Sequence, residues 1–264
     1  MTDLFRRAQS IAMLRFIFTA LFVAANFPAS AMVGGAAPAG EFARAAVMIV
    51  GSRGNSCTGT LIARDLVLTA AHCVPSGADY KLVQFDAQRQ PSLRDVASVE
   101  RHPQFSQQTF DNHRATADVA LIKLAAPASG VSQGTLFSGA FSVAAGDRFT
   151  VAGYGLTERG NGKTGGTLRA AKLVATSKPG NLQIRLADPA TNGERAGLGA
   201  CTGDSGGPVF QDIGGRFLII GVISWSTGPN NAEGCGGLTG VTPLSLYRGW
   251  IVNAAKKLGS PLAP

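Results

Sequence analysis

Charge is sparse in this sequence: 15% of its 264 residues are Asp, Glu, Lys or Arg, while 45% are hydrophobic. A chain so apolar can bury a substantial core, which excludes an extended disordered polymer. Acid is scarcer than base, 16 residues against 24, which leaves a formal charge of +8. The basic residues form no cluster interleaved with aromatics, so the surplus reads as solvated surface and no nucleic-acid partner is expected. Histidine occurs three times and cysteine four. There is no CxxC pair, no histidine-rich ligand set and no acidic calcium loop, so no metal and no cofactor are expected. Internal repeats are missing, and so are strongly periodic helices except at the carboxyl end.

Glycine, in contrast, is abundant, with 34 residues scattered between short apolar runs. Strand-length stretches lie at 46–50, 60–62, 66–69, 119–124, 149–152, 182–186, 209–210 and 217–224, most of them rich in β-branched or aromatic side chains. Such a pattern suits a turn-rich all-β fold better than a helix bundle. Segment 245–258 (SLYRGWIVNAAKKL) predicts a terminal amphipathic helix, with Leu246, Trp250 and Ile251 toward the core and Lys256 and Lys257 in the last turn before Gly259. The Pro/Ala/Ser/Gly-rich stretch 125–134 is the best candidate for a link between two halves, 32–134 and 135–264.

Residues 1–31 have the makings of a secretory signal. Arg6, Arg7 and Arg15 supply positive charge, 16–25 is an uncharged apolar run, Pro28 breaks it, and Ala29-Ser30-Ala31 offers small residues for cleavage. An uncleaved membrane anchor is the alternative, but the run is short against the roughly 20 residues a bilayer span needs. Cleavage would lower the formal charge to +6, because the leader carries three arginines and one aspartate. The expected destination is secreted or periplasmic, with no stable membrane insertion afterwards. All four cysteines, Cys57, Cys73, Cys201 and Cys235, lie beyond the leader, where an oxidising compartment favours two disulfides; spacing alone leaves all three pairings open.

The chemistry concentrates in three segments. Ser205 sits in Gly203-Asp204-Ser205-Gly206-Gly207-Pro208, just ahead of an apolar run starting at Val209. Serine is a weak nucleophile and needs a base. His72, in Leu68-Thr69-Ala70-Ala71-His72-Cys73, is the candidate, whereas His102 reads as surface or structural and His113 as solvated loop. Such a base needs a buried carboxylate to fix its tautomer, and Asp118 opens Asp118-Val119-Ala120-Leu121-Ile122-Lys123-Leu124, where a rigid dry strand could hold it.

These three segments, in the order His, Asp, Ser, resemble those of the chymotrypsin/trypsin-like serine proteases, and the resemblance extends through Gly153-Tyr154-Gly155 and 221–225 to 247–251. It implies two six-stranded antiparallel β-barrels with a terminal helix, and a secreted endopeptidase in which His72, Asp118 and Ser205 form a triad acting through an acyl-enzyme. The N–H groups of Gly203 and Ser205 would form the oxyanion hole. Cys57–Cys73 and Cys201–Cys235 would be the disulfides. Polypeptide substrates and protein inhibitors are the implied partners. A noncatalytic homologue serving as a binding module is the rival reading.

By the same resemblance Met32-Val33-Gly34-Gly35 would be the mature amino terminus, its α-amino group pairing with Asp204 once signal peptidase has cut. Met stands where Ile or Val usually leads. Gly199, six residues before the nucleophile, would floor the primary specificity pocket with Ala200, and Ser226 and Gly240 would line its walls. Ser224-Trp225-Ser226 would pair with the substrate backbone. No carboxylate stands at position 199, so the expected P1 residue is apolar rather than Arg or Lys; Glu233 is the one acid near enough to argue otherwise.

Overall fold

A computed structural model describes residues 32–85, 90–112, 114–139, 142–177 and 182–262. The expected leader and His113 lie outside these residues.

Among the described residues, the first half contains strands β1 (Ala37–Pro38), β2 (Ala46–Gly51), β3 (Ser56–Ala63), β4 (Leu66–Thr69), β5 (Tyr80–Phe85), β6 (Pro91–Arg101) and β7 (Ala120–Leu124), with a short helix α1 (Gln107–Asp111) before β7. The second half contains β8 (Arg148–Gly153), β9 (Arg169–Ala175), β10 (Ile184–Ala187), β11 (Pro208–Ile213), β12 (Arg216–Ser226), β13 (Thr239–Pro243) and helix α2 (Arg248–Lys257). Strands β2-β3-β4-β7-β6-β5 close into one antiparallel barrel. Strands β8-β9-β10-β13-β12-β11 close into a second through the β11–β8 and β8–β9 pairings, and β1 pairs with the first residues of β9 on the edge that β10 takes farther along. The expected all-β fold of two six-stranded barrels with a carboxyl-terminal helix is the one observed.

Alternation explains the closure. Along β9 the residues run buried, half-buried, buried, exposed, so one face fills the barrel while the other meets solvent. Barrel one is filled by Val47, Ile49, Leu61, Val67, Leu82 and Ile122, and barrel two by Phe149, Val151, Leu173, Leu186, Val209 and Val241. A third apolar cluster joins them: Leu68, Val119 and Leu121 of barrel one meet Phe210, Ile219 and Val222 of barrel two and Ile251 and Ala255 of α2.

The crossover 125–134 is stitched to both sides. Gly134 N–H donates to Leu61 O at 2.8 Å in barrel one, and Phe137 N–H then donates to Ile219 O at 2.9 Å in barrel two. The terminal helix begins later than expected. A 3₁₀ turn at Leu244–Leu246 points Leu244 inward and leaves Leu246 46% exposed, so the inward face of α2 is carried by Ile251, Ala254 and Ala255.

Candidate active site

The turn Ala71–Cys73 follows β4 directly, and the disulfide Cys57–Cys73 ties it to β3. His72 thus stands on a segment fastened at its own neighbour. Asp118 lies just before β7 and is 1% exposed. One of its oxygens accepts the His72 backbone N–H at 2.9 Å, and the other accepts His72 Nδ1 at 2.8 Å and the Ser224 hydroxyl at 2.6 Å. Burial alone would raise this carboxyl; the neighbouring His72 and the hydrogen bonds from His72 and Ser224 outweigh it and hold the carboxyl below its ordinary value. With Nδ1–H directed at the carboxylate, Nε2 is the nitrogen that keeps a lone pair. Ser224 comes from β12, so barrel two clamps a carboxylate that barrel one positions.

The Phe110 ring of α1 stacks on the His72 imidazole at 4.4 Å between centroids. Its helix is capped by Ser106, whose hydroxyl accepts Thr109 N–H at 3.2 Å.

Ser205 lies in the turn between Cys201 and β11. Gly206 N–H donates to Ile223 O at 2.7 Å, and Ile223 N–H returns a bond to Gly207 O at 2.9 Å, which docks the turn on β12. From the other barrel, Thr58 N–H donates to Ser205 O at 2.8 Å. The Thr58 hydroxyl donates to Gly203 O at 2.8 Å and accepts Tyr154 N–H at 3.0 Å. The Cys73 sulfur lies 3.8 Å from His72 Nε2 and 3.5 Å from Ser205 O, so the imidazole and the serine turn flank one disulfide. Gly203 has φ +94°, a left-handed conformation that favours glycine. Among the described residues, the N–H groups of Gly203 and Ser205 donate to no protein acceptor.

Thr58 was not among the expected site residues. A hydroxyl inside the apolar strand Cys57-Thr58-Gly59 was the available signal, since a fully buried Thr must find partners.

Asp204 is fully buried, and its carboxylate accepts Gly155 N–H at 2.8 Å and Cys201 N–H at 2.9 Å. Burial outweighs these two bonds and pushes the carboxyl up from 3.8 to about 7. Met32 is fully buried as well, within the barrel-two cluster that includes Ala200, and Val33 bridges to Gly199. The segment at 32–33 and the segment before Ser205 therefore pack together.

Gly199 and Ala200 lie beside Thr239, whose hydroxyl accepts Ala200 N–H at 3.0 Å. The disulfide Cys201–Cys235 joins the turn carrying Ser205 to the loop before β13. The preceding loop 188–198 has no cysteine; Asp188 closes it, one carboxylate oxygen accepting Ala190 N–H at 2.9 Å and the other Leu198 N–H at 2.8 Å. Ser226 pairs with Thr239 across β12 and β13, on the pleat that faces Ala200. Gly240 sits on the opposite pleat: Trp225 is its cross-strand partner, and a Cβ at Gly240 would lie 2.0 Å from the indole. Glu233 is ion-paired with Arg159 at the surface, its side chain 86% exposed.

The model of the trypsin family matches residues 32–251. The chain is 32% identical to vitellin-degrading protease of Bombyx mori over 212 residues, covering 75% of each chain. It is 30% identical to chymotrypsin-like elastase family member 1 of Homo sapiens over 223 residues, covering 77% of this chain and 82% of that one. With vitamin K-dependent protein C of Oryctolagus cuniculus the identity is 29% over 240 residues, covering 79% and 49% respectively.

Proposed function

This chain belongs to the trypsin family of serine proteases, and from that premise we propose that it is an exported endopeptidase using Ser205 as nucleophile, His72 as base and Asp118 as the carboxylate that orients it. The observation that carries the reading is the buried Asp118, bonded at once to His72 Nδ1 and to Ser224 of the opposite barrel. In that arrangement Nε2 takes the Ser205 hydroxyl proton as the oxygen attacks a peptide carbonyl, and Asp118 stabilises the imidazolium that forms. The proton then passes to the leaving amine. Water, deprotonated by the same nitrogen, hydrolyses the acyl-enzyme and regenerates Ser205. The N–H groups of Gly203 and Ser205 serve the developing oxyanion; losing one such donor typically costs roughly 10²–10³ in turnover.

Activation in this proposal needs only removal of residues 1–31. The new α-amino group at Met32 supplies the cation that the buried Asp204 lacks, which orders the turn carrying Gly203. Substrates are polypeptides with an apolar P1 residue, aromatic or medium aliphatic, seated near Gly199, Ala200 and Ser226. With Glu233 engaged by Arg159, nothing at the floor selects Arg or Lys.

Incubating the chain that starts at Met32 with an unbiased peptide library, beside its Ser205→Ala variant, tests the reading. Cleavage after apolar residues, abolished by the substitution, is expected. A folded protein that cuts nothing is instead the binding module, and cleavage mainly after Arg or Lys overturns the specificity.

A further inference from the structure

Three adjacent strands place Arg185, Gly240 and Trp225 in one row. Arg185 of β10 pairs with Gly240 of β13, and Gly240 pairs with Trp225 of β12. Residues directly opposite on neighbouring strands project to the same face. On this row the flanking residues Ile184, Leu186, Thr239 and Val241 are buried in the barrel, so the row itself faces outward. The middle position has no side chain, and the Trp225 indole lies over it. The result is a cavity of about 360 Å³ lined by Arg185, Trp225, Ser226, Thr227, Glu233 and Leu238 among others. Trp225, Ala232 and Leu238 give it its apolar wall.

Only two charged side chains line it. Glu233 is already held by Arg159. The Arg185 guanidinium has no carboxylate within ion-pair distance among the described residues; the Thr176 hydroxyl and N–H donate to the Arg185 backbone carbonyl, not to its side chain. The cavity therefore offers apolar surface with one unneutralised cation, which suits an extended side chain ending in a carboxylate.

The position of the cavity fixes which substrate residue could reach it, granting the peptidase reading above on which this inference rests. The nucleophile turn docks at Ile223, so β12 leads away from Ser205 as it runs through Ser224 to Ser226. A substrate paired antiparallel to this segment runs the other way and delivers its carboxyl-side end to Ser205. The third and fourth residues on the amino side of the scissile bond then pass Ser226 and the cavity mouth, at about 3.4 Å per residue. We propose that Arg185 makes this cavity an acid-selecting subsite, so that the enzyme prefers polypeptides carrying Glu or Asp at the third or fourth residue before the cleaved bond.

Matched peptides differing only by Glu, Gln or Lys at those two positions test this. For the wild-type chain starting at Met32, kcat/KM is expected to favour Glu over Lys by about three- to tenfold, the size of one partly exposed charge pair replaced by a repulsion. The preference should collapse in about 1 M salt, where screening acts over about 3 Å. Arg185→Glu should reverse the order. Equal wild-type rates on the Glu and Lys peptides overturn the proposal, as does a preference that salt and Arg185→Glu leave intact. Hydrolysis of the Gln peptide, absent in Ser205→Ala, establishes the peptidase separately; if all peptides stay uncut, both readings fall together.

Discussion

The two barrels hold their share of the site in different ways. Barrel one presents His72 and Asp118 at the ends of regular strands, with Cys57–Cys73 fastening the turn that carries the imidazole to β3. Barrel two presents Ser205, Gly199 and Ala200 on irregular segments, shaped by buried carboxylates: Asp204 under the Ser205 turn and Asp188 across the loop before it. A strand-borne pair is positioned by packing that forms with the core. A loop-borne group depends on a few polar contacts, so its geometry can respond to pH and to processing.

Breaking the rigid side should have the largest effect on chemistry. Asp118→Asn is expected to lower turnover by roughly 10⁴ with little change in KM, since the imidazole loses its orienting charge while the substrate groove stays intact. Steady-state kinetics on a peptide cleaved by the wild type checks it; a loss below tenfold would place the base elsewhere.

The pliant side should answer to processing and pH. A carboxyl pushed up to about 7 in the fold, against about 3.8 unfolded, binds more protons when folded. Stability of the chain with residues 1–31 attached should therefore fall as pH rises from about 4 to about 7. Leaving that charge unpaired should cost about 3–5 kcal/mol at the top of the range. Urea midpoints at pH 5 and pH 8 should differ far less for the chain starting at Met32, if its amino group meets Asp204.

Thr58 joins the two sides, so removing its hydroxyl should loosen their contact. Thr58→Val removes the bonds to Gly203 O and from Tyr154 N–H and should cost about 1–3 kcal/mol, with kcat falling more than KM rises. Within barrel two alone, Asp188→Ala should raise KM several-fold while labelling of Ser205 persists, because only the loop bearing Gly199 is released. The smallest effect belongs to His102, which packs edge-on to Tyr247 and Trp250 of the terminal segment. Burial lowers its pKa from 6.5, so the unfolded chain takes up the proton first and stability should decline as pH drops below about 6.5. His102→Gln should flatten that limb of the urea-midpoint profile.

The same contrast explains what the sequence made legible. Strands such as 66–69 and 149–152 announce themselves because their apolar runs are continuous and buried. Strand β6 was silent: most of Pro91–Arg101 is exposed or half-buried, and its pairing with β5 and β7 leaves no apolar run. The segments around His72, Asp118 and Ser205 stand out because backbone and side chain are both constrained there. Asp188, Thr58 and Arg185 do not, because each acts across strands or loops that only the fold brings together. Gly240 shows the same at one residue: the pleat it shares with Trp225 depends on the β-bulge after Ile223, which the linear sequence does not announce.

The central claim is that one serine is made nucleophilic by one histidine across the barrel interface. Mass spectrometry of the chain starting at Met32 after exposure to a fluorophosphonate tests it most directly. A single adduct on Ser205, lost in His72→Ala while that variant keeps its wild-type circular dichroism, is the predicted result. A folded chain that takes no label, or takes it on another residue, would contradict the account.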